Sequence, residues 1–180
     1  VARCARLAAA AMLSAAAFLG SAVPSIVEVC PGEGPRYGDF KCNHDGTHRV
    51  CAQLVDNVTH APLKWGSGDF WDLTGQKAFE WSDKIVAAPN PGDSWCICMW
   101  ATASLIKQAG CDNVHLRCDS TDVAYVLNQY HDGGVELSAA HDCLERKCPV
   151  QVAAMQASAA PEASASRKKR RALRGKEAEL

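Results

Sequence analysis

The chain has 180 residues, enough for one ordinary domain, and its formal net charge of −1 at pH 7 argues against binding to nucleic acid or to a charged membrane surface. Ten residues are cysteines, which is unusual for a cytosolic enzyme. The compartment in which the chain resides therefore decides how these sulfur atoms are interpreted.

Residues 1–22 have the layout of a secretory signal peptide. Arg3 and Arg6 give a basic start, residues 7–19 are apolar, and small residues precede a predicted cleavage after Ala22. The apolar run is shorter than the roughly 20 residues of a membrane span, and a retained signal anchor is the alternative. We expect a protein that is secreted or resides in the endomembrane lumen, with no transmembrane segment after cleavage.

Residues 23–150 are predicted to form one cysteine-rich domain. Its opening, residues 30–43, is rich in Gly and Pro, and residues 49–55 have the β-branched, alternating character of a strand. Asn57 begins an Asn-x-Thr sequon and is a candidate glycosylation site. Residues 56–93 are predicted to be a long irregular connection, held to the surface by its aromatic residues, which are Trp65, Phe70, Trp71, Phe79 and Trp81.

The second half of the domain has more regular patterns. Residues 95–99 and 113–118 are predicted strands, and residues 101–109 have helical spacing that ends at Gly110. A further helix is predicted with Ser120 or Thr121 as its cap, and a short one, capped by Ser138, toward Cys143. This order predicts an α+β fold in two layers, with the helices on one face of a small sheet.

Residues 151–180 are predicted to be a disordered tail, because their Ala/Ser-rich composition cannot bury enough apolar surface to order the chain. The basic run at residues 167–171 has the composition of a nuclear signal, a nucleic-acid patch or a convertase site. The signal peptide argues against the first two, and a solvated charged tail is the simplest interpretation. We therefore expect no nucleic-acid partner.

Five residues are candidate metal ligands. On a strand, Cys96 and Cys98 project from the same face, and a bond between them would distort the backbone. A second cluster contains Cys42, His48 and Cys51. Together the five provide ligand types that zinc prefers, although their spacing is not that of a standard zinc finger. In an oxidising compartment the same cysteines favour disulfides, so both interpretations remain open.

The other cysteines point to disulfides. Local bonds, Cys111 to Cys118 and Cys143 to Cys148, are the simplest pairing, although sequence does not fix the connectivity. Removal of Cys4 with the signal peptide would leave nine cysteines, so at least one would be free, metal-bound or joined to another chain. The candidates are Cys30 and the 42/51/96/98 group. Such a thiol could act as a nucleophile if its pKa were lowered.

Three ordered blocks of the chain resemble the domain-of-unknown-function 2237 family. They are the Cys-Asn pair at residues 42–43, the Gly-Thr-His-Arg-Val-Cys segment at 46–51 and the Pro-Gly-Asp-Ser-Trp-Cys-Ile-Cys segment at 91–98. The similarity extends over residues 30–141, with insertions and changes between 56 and 88.

The resemblance implies a compact two-layer α+β domain and no established activity. It assigns Cys42, His48, Cys51, Cys96 and Cys98, together with Cys30, to family positions. By the same comparison, the four later cysteines are additions. The family's Ala-Thr-His after the second strand is replaced here by residues 119–121, so a histidine has been lost.

These patterns lead to three hypotheses for function. The first is a disulfide-stabilised binding or structural module, and the second is a zinc-binding Cys/His protein. The third is a thiol-dependent redox enzyme. The sequence leaves the ligand, the partner and any reaction undetermined.

Overall fold

The computed structural model describes residues 26–32, 38–76, 85, 92–130 and 136–159. The predicted signal peptide, the aromatic residues Phe79 and Trp81 and the basic run at 167–171 lie outside them. The elements in chain order are β1 (Val50–Gln53), β2 (Lys64–Trp65), β3 (Gly68–Asp69), α1 (Phe70–Thr74), β4 (Ser94–Ile97), α2 (Met99–Ala109), a 3-10 turn (Cys111–Asn113), α3 (Val123–Asn128), α4 (Ser138–Lys147) and α5 over residues 149–159.

β1 and β4 form an antiparallel pair at the centre of the domain. Val50 lies opposite Ile97, and Cys51 lies opposite Cys96. Because both faces of β1 are covered, its first three residues are fully buried. The two strands predicted at residues 49–55 and 95–99 are therefore confirmed, with shorter bounds.

The strand predicted at residues 113–118 is wrong. This segment lies beside β1 but makes only one isolated bridge, between Ala52 and Leu116. The Gln53 N–H donates to the His115 carbonyl at 3.0 Å, and the Arg117 N–H donates to the Cys51 carbonyl at 2.9 Å. A 3-10 turn precedes the segment and another turn follows it, so its pairing with β1 does not extend beyond this bridge.

The long connection contains regular structure that the sequence analysis did not predict. β2 and β3 form a hairpin that leads directly into α1. Asp69 caps that helix, and its side chain and that of Asp72 each accept a backbone N–H of the other residue. The fully buried Trp65 packs edge-on against Phe70 and His115, with ring centroids 5.9 and 5.7 Å apart. Aromatic residues thus hold this part of the connection to the core.

The later helices follow the predicted order, with different caps. α2 ends at Gly110, as predicted, and its N–H donates to the Ile106 carbonyl at 2.9 Å. α3 is capped by Asp122 rather than Ser120 or Thr121, since the Asp122 carboxylate accepts the Tyr125 N–H. The last predicted short helix is present as α4, but Ser138 is its first residue and not its cap, which is Leu137, and the helix continues past Cys143 to Lys147.

At its C-terminal end the described chain is helical where disorder was expected. Residues 149–159 form α5, so the structure differs from the expectation over residues 151–159. The segment contains several alanines, which have the highest helix propensity, and the Val152 N–H donates to the Cys148 carbonyl at 3.1 Å. The remainder of the predicted tail lies outside the described residues.

The architecture is a mixed α+β fold in which small two-stranded sheets pack with short helices. The main core is formed by the inner faces of β1, β4, α2, α3 and α4, together with the aromatic residues of the long connection. None of the helices among the described residues has the length and apolar character needed to cross a bilayer.

The start of β4 is packed tightly against the N-terminal segment. The Ser94 N–H donates to the Pro31 carbonyl at 2.7 Å. Gly92 lies so near that segment that a Cβ atom there would be 2.2 Å from the Pro31 carbonyl carbon. Real Cβ atoms essentially never approach backbone so closely, so only glycine fits at residue 92.

We predict that Gly92→Ala lowers the free energy of unfolding by about 1–3 kcal/mol, because the methyl group forces the backbones at residues 31 and 92 apart. Gly38→Ala is the matched control, since a Cβ there would meet nothing within 4 Å. Urea denaturation of the two variants measures the effect. Equal midpoints for Gly92→Ala and wild type would contradict the packing described.

Candidate functional site

The site is built around a pair of cysteines that face each other across β1 and β4. The Cys51 N–H donates to the Thr121 hydroxyl at 3.0 Å, and its carbonyl accepts from Arg117, so both groups point away from β4. Cys51 and Cys96 are therefore a non-hydrogen-bonded pair, the arrangement in which opposing side chains approach most closely. The sheet thus places two buried cysteine side chains opposite each other.

Each of these cysteines is bonded to a cysteine of the N-terminal part of the domain. Cys51 forms a disulfide with Cys30, and Cys96 forms one with Cys42, with Cα–Cα distances of 5.8 and 5.5 Å. All four residues are at most 2% exposed. The sulfur atoms of Cys30, Cys42 and Cys96 lie within 4.8 Å of one another. We call these four residues the sulfur cluster.

Backbone pairing positions the two outer cysteines of the cluster. The Cys30 N–H donates to the Phe40 carbonyl at 2.8 Å, while Cys42 forms a bridge with Thr121. The Ser120 hydroxyl donates to the Val29 carbonyl at 2.8 Å. Segments 26–32, 40–42 and 119–121 therefore surround the β1–β4 pair and hold the sulfur atoms against it.

The structure brings together part of the predicted metal-ligand set. Cys42 is bonded to Cys96, and Cys51 lies opposite Cys96 across the two strands. The group of ligand atoms found among the described residues contains Cys42 and Cys96 but not His48, Cys51 or Cys98. Its third member is Cys30, which was not one of the five candidate metal ligands.

Cys98 has a separate environment at the beginning of α2. Its carbonyl accepts both the N–H and the hydroxyl of Thr102, each at 3.1 Å, and its sulfur is in a disulfide. No described cysteine is a free thiol. The expectation of an odd thiol concerned a processed chain that lacks Cys4, and it stays a prediction.

The ring of His48 is hydrogen-bonded to the carboxylate of Asp45, which lies three residues earlier in the chain. Its Nδ1 donates to Asp45 at 2.9 Å, and the Thr47 N–H donates to the same carboxylate at 2.7 Å. Burial raises the pKa of Asp45, but hydrogen bonds from His48 and Thr47 outweigh it and hold the pKa below its ordinary value of 3.8. The described contact of the His48 ring is therefore with a loop aspartate.

A second charged group lies between β1 and α3. The Arg49 guanidinium donates to Asp122 at 2.7 Å and stacks over the Tyr125 ring, 3.9 Å from its centroid. Thr121 is buried, and its hydroxyl donates to the Arg117 carbonyl at 2.8 Å. These contacts fasten α3 to the cluster side of β1.

The buried ion pair of Asp93 was not predicted from the sequence. Asp93 is 1% exposed and forms an ion pair with Arg117. Its carboxylate also accepts from Gln53 at 2.9 Å and from the Ser94 hydroxyl at 2.6 Å. An aspartate directly before a buried strand was the only available signal, because Arg117 is 24 residues away.

The four later cysteines form two long-range disulfides. Cys111 is bonded to Cys143 and Cys118 to Cys148, so the local pairing expected from the sequence is wrong. The physical reason is that α4 packs on α2. This packing carries Cys143 to the 3-10 turn after α2 and Cys148 to the turn at residue 118. Each bond closes a loop of about 30 residues, with sequence separations of 32 and 30.

Asn57 is exposed in a turn that is fixed by its neighbour. The Asp56 carboxylate accepts the N–H groups of Val58 and Thr59 at 3.0 and 2.7 Å, and Val58 is 80% exposed. The glycosylation sequon therefore lies in an accessible part of the surface.

Comparisons with protein-family models, with curated proteins and with solved structures find no match to this chain.

We predict that Asp45→Asn lowers the free energy of unfolding at pH 7. The difference in this free energy between the variant and wild type should become smaller in acid. The pKa of Asp45 is lower in the folded chain than the ordinary value of 3.8. The ionised carboxylate therefore stabilises the folded chain fully above pH 3.8, and this stabilisation is lost as the pH falls through the folded pKa. Urea denaturation at several pH values between 7 and 2 measures both effects. A difference that is independent of pH would show that the Asp45 charge does not contribute.

Proposed function

We propose that this chain is a disulfide-stabilised structural or binding module of a secreted or lumenal compartment, and that its sulfur cluster acts as an internal cross-link. The observation that carries the proposal is that all nine described cysteines are disulfide-bonded, four of them in one buried cluster. Disulfides form and persist in oxidising compartments, which agrees with the predicted signal peptide.

Loop closure supports a stabilising role for the cluster. The Cys42–Cys96 bond joins residues 54 apart, and the Cys30–Cys51 bond joins residues 21 apart. Loop-entropy estimates run from about 3 kcal/mol for a 15-residue loop to about 4.7 kcal/mol for a 100-residue loop. A domain whose central sheet contains only two four-residue strands depends on such cross-links more than a larger core would.

The buried carboxylates of the described part also have structural partners. Its two buried carboxylates, Asp93 and Asp122, are each paired with an arginine. Removing one partner of a buried pair typically costs about 3–5 kcal/mol, so such pairs fix the packing of the segments that carry them. These contacts support a rigid scaffold more than a site with a free acid or base.

The thiol-redox alternative has less support. A redox-active disulfide must be reached by the thiol of its substrate, and redox-sensitive cysteines are typically accessible. The sulfur cluster is at most 2% exposed, whereas Cys111 and Cys118 are only partly buried. The zinc alternative, in the form that uses His48 and Cys98, has no support from the ligand group found among the described residues.

We also propose that the chain is a divergent member of the domain-of-unknown-function 2237 family. The three sequence blocks that carry the resemblance supply Cys42, Cys51 and Cys96. These cysteines meet in the folded chain, and this supports a shared core.

We predict that a small-molecule thiol reductant cleaves the cluster bonds last in the native protein. The Cys111–Cys143 and Cys118–Cys148 bonds each have one partly buried cysteine and are expected to open first. Timed alkylation followed by peptide mapping gives the order. Reduction of Cys30–Cys51 or Cys42–Cys96 before the other two would contradict the structural role and favour a redox function.

The proposed compartment predicts an N-glycan on Asn57. When the chain is expressed in a eukaryotic secretory host, treatment with an N-glycosidase should increase its gel mobility, and Asn57→Gln should abolish that increase. Asn113→Gln is the matched control because Asn113 is exposed but lacks a sequon. An unglycosylated wild-type chain would count against passage through the lumen.

A further inference from the structure

The sulfur cluster has the composition of a tetrathiolate metal site, and three of its sulfur atoms are close enough to share one ion. Four cysteine sulfur atoms from two bonds share one buried volume, and three of them, from Cys30, Cys42 and Cys96, lie within 4.8 Å of one another. The fourth, from Cys51, is bonded to Cys30. No other group of three or more metal-ligand side chains within this distance is found in the described part of the chain.

Zinc bound to four thiolates has Zn–S distances of about 2.3 Å, which places the sulfur atoms about 3.8 Å apart. The Cys30 sulfur lies at most 4.8 Å from the sulfur atoms of Cys42 and Cys96, which exceeds this value by at most about 1 Å. Once the bonds open, each pair of sulfur atoms must move apart, and rotation of the cysteine side chains allows that movement.

We propose that the chain, once the two disulfides of the sulfur cluster are reduced, binds one zinc ion through Cys30, Cys42, Cys51 and Cys96. Two molecules of a dithiol reductant supply four electrons and four protons to the two bonds, giving four thiols and two oxidised reductant molecules. Zinc then displaces one proton from each thiol, so four protons are released for each ion bound. The buried, apolar surroundings exclude water from the sulfur atoms, as in a structural zinc site.

This ligand set differs from the one that the sequence suggested. Cys98 is the N-cap residue just before α2 and has its own disulfide, while His48 is hydrogen-bonded to Asp45. Cys30 takes their place because its segment is paired with residue 40 and carries its sulfur against β1. The inference concerns the same cluster as the proposed function but in its reduced state.

The test uses the full chain, reduced with a phosphine, which takes one oxygen atom from water for each bond and leaves no competing thiol. Zinc is then added, and bound metal, circular dichroism and the metal coordination by X-ray absorption are measured. We expect one zinc per chain, recovery of secondary structure, and four sulfur ligands without nitrogen. Peptide mapping after alkylation should show that zinc protects Cys30, Cys42, Cys51 and Cys96.

Matched variants each remove four cysteines. Replacing the four cluster cysteines with serine should weaken zinc binding at least tenfold, whereas replacing Cys111, Cys118, Cys143 and Cys148 with serine should retain it. Cys98→Ser and His48→Ala should also bind one zinc per chain. A nitrogen ligand, protection of cysteines outside the cluster, or the absence of bound zinc in the reduced wild-type chain would overturn the proposal. The order of bond reduction in the oxidised protein would still test the structural role separately.

Discussion

The pairing of Cys51 with Cys96 across β1 and β4 is the constraint on which the rest of the domain depends. Because neither backbone group of Cys51 bonds to β4, the two side chains approach closely on one side of the strands. Each sulfur then reaches outward to a loop cysteine. In this way a two-stranded sheet, which is too small to be stable alone, is fastened to segments 26–32 and 40–42.

Polar contacts around the cluster serve the same arrangement. Asp93 and Arg117 join the start of β4 to the segment beside β1, and Arg49 and Asp122 join β1 to α3. Thr121 hydrogen-bonds both Cys51 and Arg117. A buried ion pair is a weak source of net stability but a strong constraint on geometry, since a misplaced partner leaves a buried charge. These pairs therefore specify how the segments meet.

The two later disulfides stabilise a separate part of the molecule. They join α4 and the residue after it to the region that follows α2, on the helical side of the core. The sulfur cluster and this second pair of bonds therefore constrain different segments. The two disulfides of the sulfur cluster could be reduced, for example to bind a metal, while the two later disulfides stay oxidised. The later disulfides would then still constrain the helical side of the core.

Local patterns in the sequence determined the order of the main strands and helices. Alternation identified β1 and β4, helical spacing and Gly110 identified α2, and the cysteine count indicated disulfides. Partners distant in sequence were decided only by the tertiary structure. The local pairing of Cys111 with Cys118 failed because α4 packs on α2, and Asp93 was not recognised because Arg117 reaches it through the fold. Disulfides and ion pairs depend on which side chains meet in space, whereas helical and strand patterns depend on neighbours along the chain.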